Sequence, residues 1–259
     1  MLIEKNMSLQ TPRDWEGMAA IARIVADTLQ QMKALAKPGM STKELDDLGS
    51  RLLKDQGARS APTKDYHFPG ATCISVNHQV AHGIPSSAVI LQEGDLINID
   101  VSAEKDGYYG DNGASFILGV DHKGLSPLVA ASQTILMGAI YRIRAGQKIS
   151  ETGKYIEQQA RKMGFATICN LTGHGIGRKL HEEPREIPNY FDRFNRQRFK
   201  KNTTVAIETF ISTKAKVVEE LHDGWTLATM DGSYVAQHEH TIVVTDGAPV
   251  ILTLNNGIA

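Results

Sequence analysis

Two cysteines, no long apolar run near the N-terminus and almost no net charge set the first limits on this chain of 259 residues. Cys73 and Cys169 are too few for a disulfide scaffold and fit a reducing compartment. A formal net charge of -1 argues against nucleic-acid binding by bulk charge and leaves only a local basic patch open. The opening MLIEKNMSLQ shows no signal peptide, transit peptide or membrane span, so a cytoplasmic protein with no membrane and no DNA contact is expected. Met1 and Met7 are equally good starts. No linker-like composition divides the chain. With 41% apolar and 22% charged residues it is suited to a sizeable core, and one domain spanning 1–259 is expected.

What is present is most informative between Leu96 and Gly119, LINIDVSAEKDGYYGDNGASFILG. This reads as two strands joined at Asp106-Gly107. Asp100 and Asp111 fall one on each arm. If Lys105 and Asp106 centre the turn, the two face each other; if Asp106 and Gly107 centre it, they lie on a diagonal. Either register puts both on one face, since side chains alternate with period two. Like charges on one hairpin face repel, and Asp100 lies within the apolar run Ile97-Asn98-Ile99-Asp100-Val101. A divalent metal between them is the simplest remedy; the plain alternative is that one aspartate points to solvent.

Elsewhere the periodicity predicts a helix capped by Thr11, with Pro12 first, running to about Lys37, and a second from a Ser41–Glu44 capping box to Gly57. A loop containing Pro62, Pro69 and Gly70 follows. Ser126-Pro127 opens a third helix to about Ile143, and Ser150 is expected to cap a fourth ending near Gly164. Strands are expected at 72–76, 166–170, 204–210, 226–229 and 239–244, with a loop over 185–201. The order echoes itself. A helix opened near Gly39 ends at Gly57, and one opened near Gly146 ends at Gly164, with equal spacing. His82-Gly83-Ile84 precedes Asp100, and His174-Gly175-Ile176 precedes Glu208. The echo suggests two similar halves, although two amphipathic helices can match by chance.

Four further residues stand out. His174 is flanked by Gly173 and Gly175, which suits close backbone approach to a site rather than helix or strand packing. Glu208 sits in the apolar Val205-Ala206-Ile207-Glu208-Thr209-Phe210, and Glu239 precedes Ile242-Val243-Val244. Unpaired carboxylates on such strands are costly. Singly, each reads as a salt bridge or a satisfied core residue. Together, one histidine and four carboxylates suit two divalent ions rather than one structural zinc.

The motifs His82-Gly83-Ile84-Pro85, Asn98-Ile99-Asp100-Val101, Gly110-Asp111, Gly173-His174-Gly175-Ile176-Gly177, His181-Glu182-Glu183-Pro184, Ala206-Ile207-Glu208 and Gln237-His238-Glu239-His240-Thr241 complete the pattern. In order, and across essentially the whole chain, the sequence resembles the type I (bacterial-type) methionine aminopeptidases, pita-bread metallopeptidases of family M24. The resemblance implies an α+β pita-bread (creatinase/aminopeptidase) fold. Two pseudo-twofold-related halves, about 10–120 and 121–250, would surround a curved antiparallel sheet with helices outside. It implies two divalent ions held by Asp100, Asp111, His174, Glu208 and Glu239, with Asp111 and Glu239 bridging. Asp100 would complete one ion's set, and His174 with Glu208 the other's. Their identity stays open among Co, Mn, Fe(II) and Zn.

The implied activity is removal of the N-terminal methionine from nascent proteins and peptides, with preference for a small second residue, by a water activated between the ions. Glu208 would take its proton. His181 would hydrogen-bond the carbonyl oxygen as it becomes tetrahedral, and His82 would act on the scissile amide and leaving amine. The plainer reading of both histidines is orientation of the carboxylates. The methionine pocket would be formed by Cys73, Phe68, Leu180 and Trp225. Phe68 stands where some relatives carry tyrosine, Asp65 where some carry another aromatic, and Leu180 replaces a common phenylalanine. These departures put the pocket's shape in doubt. Thr209 replaces a frequent proline with no expected chemical consequence. No base at a recognised spacing favours Cys73 as a nucleophile.

Two other readings compete. Xaa-Pro aminopeptidases and prolidases share this fold and ligand set, but usually carry a further N-terminal domain, whereas this chain begins almost directly in the catalytic part. A non-catalytic pita-bread binding module would typically have lost ligands that are all present here. A monomer is expected. The cluster Arg193, Arg196, Arg198, Lys200 and Lys201 reads either as a solvated loop or as a transient contact, over Arg193–Lys201, with the phosphate-rich ribosomal exit region.

Overall fold

Helix α1 (Pro12–Leu35) begins where the sequence anticipates, with Thr11 and Asp14 forming a reciprocal capping box. Helix α2 (Thr42–Asp55) repeats the device with Ser41 and Glu44. The computed structural model describes residues 9–258, so Met1 and Met7 lie outside the described residues. Between α2 and the central hairpin come β1 (Arg59–Ser60), the short α3 (Ala61–Tyr66), β2 (Cys73–Val76) and β3 (Gln79–Ala81). The hairpin is β4 (Leu96–Lys105) and β5 (Tyr108–Ile117). Then follow α4 (Ser126–Ile140), α5 (Ile149–Lys162), β6 (Ala166–Thr167), β7 (Thr172–Gly175), β8 (Glu182–Pro188) and β9 (Thr204–Ser212). The chain closes with β10 (Glu219–Glu220), β11 (Leu227–Ala228), β12 (Val235–Val243) and β13 (Val250–Ile251).

The main sheet runs β1-β4-β5-β12-β9-β7-β8, with antiparallel pairing along this path. Helix α1 packs on β4 and β5, and α4 packs on β9 and β12. Period-two alternation decides which side chains meet them. Ile97, Ile99, Val101 and Ala103 of β4 enter one core with Ile21, Val25 and Leu29 of α1. Ile135 and Ala139 of α4 enter another with Ile211 of β9 and Ala236 of β12. Each fully buried aliphatic side chain contributes about 1.5–3 kcal/mol relative to exposure. The opposite face of the same strands is thereby left to Asn98, Asp100, Ser102, Glu208 and Glu239.

Lys105 pairs with Tyr108, so Asp106 and Gly107 centre the hairpin turn, both with positive φ (54° and 81°). Asp100 then pairs with Gly113 and Asp111 with Ser102, which is the diagonal alternative.

Several expectations need correction. The fourth helix starts at Ile149 and is capped by Lys148, not Ser150; an isolated bridge to Arg198 holds Lys148 extended, which leaves Ser150 buried in the first turn. The strands expected at 166–170 and 226–229 shrink to Ala166–Thr167 and Leu227–Ala228. The loop expected over 185–201 starts inside β8, whose Pro184 and Pro188 hide a strand that lies at the sheet's edge. The loop after α2 contains α3, with Pro62 in its first turn and Ser60 as its cap.

Candidate metal centre

Five adjacent strands each carry one candidate ligand: Asp100 on β4, Asp111 on β5, Glu239 on β12, Glu208 on β9 and His174 on β7. The registers draw them together. Glu239 pairs directly with Glu208, and His174 pairs with Ala206, two residues away. Asp111, His174 and Glu239 offer ligand atoms that all lie within 4.8 Å of one another. His174 therefore lies in a strand, contrary to expectation. Its glycines do serve close approach, but to neighbouring strands: a Cβ on Gly173 would meet the Ala206 carbonyl oxygen at 2.5 Å, and one on Gly175 the Glu183 carbonyl oxygen at 2.4 Å. The flanking His238 and His240 alternate onto the other face, where the His240 Nδ1 meets the Thr253 hydroxyl at 2.9 Å.

The electrostatics follow from burying acids together. Asp111, His174 and Glu239 are buried, while Asp100 and Glu208 open partly onto a cavity. Burial pushes the Asp100 carboxyl up to about 6. Burial first, and then the charges of neighbouring carboxylates, hold Asp111, Glu208 and Glu239 well above the usual carboxylate range. Burial drives His174 down to about 3, so it is neutral. Its Nδ1 lies 3.0 Å from the Gly175 carbonyl oxygen. A carbonyl only accepts, so Nδ1 carries the proton, and Nε2 turns its lone pair toward Asp111, with Oδ2 at 3.7 Å.

A cation fits this set. Asp100 Oδ1 is enclosed with no hydrogen-bond partner. Among the described residues no lysine or arginine pairs with Asp111, which instead faces the neutral His174. Oxygen donors with one imidazole suit a divalent metal. Other groups orient the donors. Ser102 donates to Asp111 Oδ1 at 2.6 Å. The Gln237 amide donates to Glu239 at 3.2 Å while accepting from Asn98 at 2.7 Å.

Every residue predicted for the site lines one cavity of about 380 Å³. Phe68, Cys73 and Leu180 are buried in its wall, and Phe68 meets Trp225 edge-on, ring centres 5.2 Å apart. Cys73 pairs with Asp100 across β2 and β4, and burial pushes its thiol well up, which fits a wall residue rather than a nucleophile. His82 and His181 stand at the exposed mouth, His82 with φ 53°. Thr209 ties β9 to α4 through Ser132, hydroxyl to hydroxyl at 3.1 Å. A wider groove of about 580 Å³ beside α2 holds Asp46, but that carboxylate accepts from both Ala71 N and Thr72 N and is satisfied.

Sequence reasoning missed Tyr66. It lines the cavity and meets His181, while Asp65 turns aside to Lys64 and Tyr109. The aromatic that position 65 lacks is thus supplied by its neighbour. The signal lay in Tyr66 following Asp65, but the short helix that sorts their directions was hidden by prolines.

The pattern of metallopeptidase family M24 matches residues 16–246. Methionine aminopeptidase 2 of Bacillus subtilis is 49% identical over 247 residues, covering 95% of this chain and 99% of that protein. The crystal structure of a methionine aminopeptidase from Thermotoga maritima superposes with a TM-score of 0.90 at 34% identity, covering 95% of this chain and 99% of that one. A prolidase from Pyrococcus furiosus shares the fold, with a TM-score of 0.76 at 19% identity over 95% of this chain and 65% of its own.

Proposed function

The chain belongs to metallopeptidase family M24 and has its pita-bread fold, and from that premise we infer that it is a methionine aminopeptidase, a metal-dependent hydrolase that removes N-terminal methionine. The observation that supports this reading best is the convergence of five donor residues, one per strand, at the floor of an apolar-walled cavity. The identity to a methionine aminopeptidase at 49%, against 19% to the prolidase, favours this reading over a proline-directed one.

Asp100, Asp111, His174, Glu208 and Glu239 would hold the metal. Four carboxylates carry up to four negative charges, and two divalent ions neutralise them, so two ions per chain is the number this set favours. Co, Mn, Fe(II) and Zn all suit the donors. When bound, the ions supply Lewis acidity to a water and the scissile carbonyl and an anchor for the substrate's free α-amino group. Glu208, ionised once the metal neutralises the carboxylate cluster, would take the proton from the attacking water and return it to the leaving amine. His181 donates an N–H to the carbonyl oxygen as negative charge grows there. His82 faces the leaving amine from the mouth. Phe68, Cys73, Leu180 and Trp225 receive the methionine side chain, and a small second residue is preferred.

Removing a first methionine means meeting chains as they are made. Arg193 and Arg196 project from an exposed segment, whereas Lys201 pairs with Asp246 and Arg198 donates to the Gly146 carbonyl. This exposed charge supplies weak, salt-sensitive attraction to ribosomal RNA phosphates. A reducing, cytoplasmic setting fits the two unpaired cysteines. The deciding experiment strips the protein of metal and measures free methionine from Met-Ala-Ser, with Ala-Pro peptides alongside, as each ion is added back. Restored release from Met-Ala-Ser alone is expected; hydrolysis of Ala-Pro alone, or of neither, would overturn the reading.

A further inference from the structure

Tyr66 ends the short helix α3, and its hydroxyl lies 2.6 Å from His181 Nδ1. The ring centres of the two side chains are 5.6 Å apart, and His181 stacks in turn at 4.3 Å from His174. The end of α3 that carries Tyr66 is pinned. Tyr109 of β5 donates to Asp65 at 3.2 Å and receives a bond from Lys64, while Lys64 also reaches Asp65 at 3.0 Å. After Tyr66 the chain turns through His67 at φ 60°, and Phe68 N returns to the Pro62 carbonyl at 3.2 Å. Tyr66 is 45% exposed, so this is a rim contact rather than part of the core.

A neutral imidazole has one N–H and one lone pair. Two arrangements fit the contact. Either the phenol donates to Nδ1, and Nε2 carries the imidazole proton, or Nδ1–H donates to the phenol, and Nε2 is bare. Only the first leaves His181 with a donor on the side of the ring away from Tyr66. Burial and the Asp65 charge push the Tyr66 phenol up, so it keeps its proton to give.

We propose that Tyr66 is a positioning residue: its hydroxyl donates to His181 Nδ1 and fixes the imidazole as the Nε2–H donor that the substrate's carbonyl oxygen needs. The proposal rests on the reading of His181 as that donor. It explains why a tyrosine is held at the rim by a network built from Lys64, Asp65 and Tyr109, none of which reaches the substrate side of the cavity. It also assigns the hydroxyl, rather than the ring, as the useful part of the side chain.

Tyr66→Phe keeps the ring and removes only the hydroxyl. With Met-Ala-Ser and the metal-loaded enzyme, kcat is expected to fall roughly 5- to 10-fold, the worth of one neutral hydrogen bond, with KM nearly unchanged and metal content unchanged. His181→Ala measured beside it separates the two layers. If His181→Ala is slow while Tyr66→Phe has wild-type kcat, the proposal is overturned and the His181 reading stands. If both turn over like wild type, the His181 reading falls and takes the proposal with it. An independent readout is the tautomer itself. In zinc-loaded protein with 15N-labelled histidine, the His181 signals, identified by their loss in His181→Ala, should show Nδ1 unprotonated and Nε2 protonated. A protonated Nδ1 would overturn the proposal whatever the kinetics show.

Discussion

Removing the metal should make stability fall as pH rises, and Asp100 allows the size to be worked out. Its carboxyl stands at about 6 in the folded protein against an ordinary value of 3.8. The folded state therefore keeps a proton that the unfolded state has already lost, so stability declines with rising pH through this interval. The folded carboxyl thus binds its proton roughly a hundredfold more tightly, and at roughly 1.4 kcal/mol for each factor of ten about 3 kcal/mol is lost by neutral pH. The loss begins near pH 4, where the unfolded group ionises, and is complete once pH has passed the folded value of about 6. Asp111, Glu208 and Glu239 are displaced in the same direction, so the whole metal-free protein should weaken further than Asp100 alone requires.

The contribution of Asp100 is isolated by comparing metal-free wild type with metal-free Asp100→Asn, which cannot ionise. Near pH 4 the two should melt together. By pH 7.5 the variant should be the more stable by about 3 kcal/mol, roughly 6–12 °C in melting temperature for a chain of this size. With saturating divalent metal the order should reverse, because the ion binds the wild-type folded state more tightly; about 4.1 kcal/mol accrues at one thousand times Kd, which exceeds the deficit of the metal-free protein. Wild type and variant tracking each other from pH 4 to 8 without metal would refute the picture of an acid enclosed without a partner at Asp100 Oδ1.

Three more tests bear on separate parts of the site. Asp111→Asn removes the charge from a carboxylate proposed to bridge the ions, so the variant should retain fewer ions by elemental analysis and lose nearly all methionine release. His181→Ala should lower turnover roughly 10²- to 10³-fold with metal content intact; a metal-free variant would instead make His181 a ligand or a structural residue. Arg193→Glu with Arg196→Glu should weaken co-sedimentation with ribosomes at low salt and leave Met-Ala-Ser cleavage unchanged; unaltered binding across a salt titration would leave the loop with no partner.

The part of the fold that could be read from sequence is the part that local rules control. The Thr11 cap, the Ser41–Glu44 capping box and the presence of a turn at Asp106-Gly107 are set within a few residues, and each appears where its side chains require, although the sequence admits two registers for that turn. The acids on apolar strands were legible for a related reason. A carboxylate at Asp100 or Glu208 contradicts its neighbours unless something compensates it, and that contradiction survives without knowing the fold. What failed was set by distant contacts. Lys148 caps α5 because a bridge to Arg198, on a remote loop, holds it extended, and nothing near Ser150 announces this. His174 looked like a loop residue because glycine usually weakens strands; here the glycines let three strands close to within side-chain-free distance around it. Tyr66 is the sharpest case. Residues 65 and 66 are adjacent polar and aromatic positions in a proline-bounded segment, and only the pitch of α3 decides which of them faces His181. A one-residue rotation would put a carboxylate where the phenol now stands, and a carboxylate accepts from Nδ1–H where the phenol donates to Nδ1. The state of the histidine at the mouth thus depends on the phase of a single helical turn.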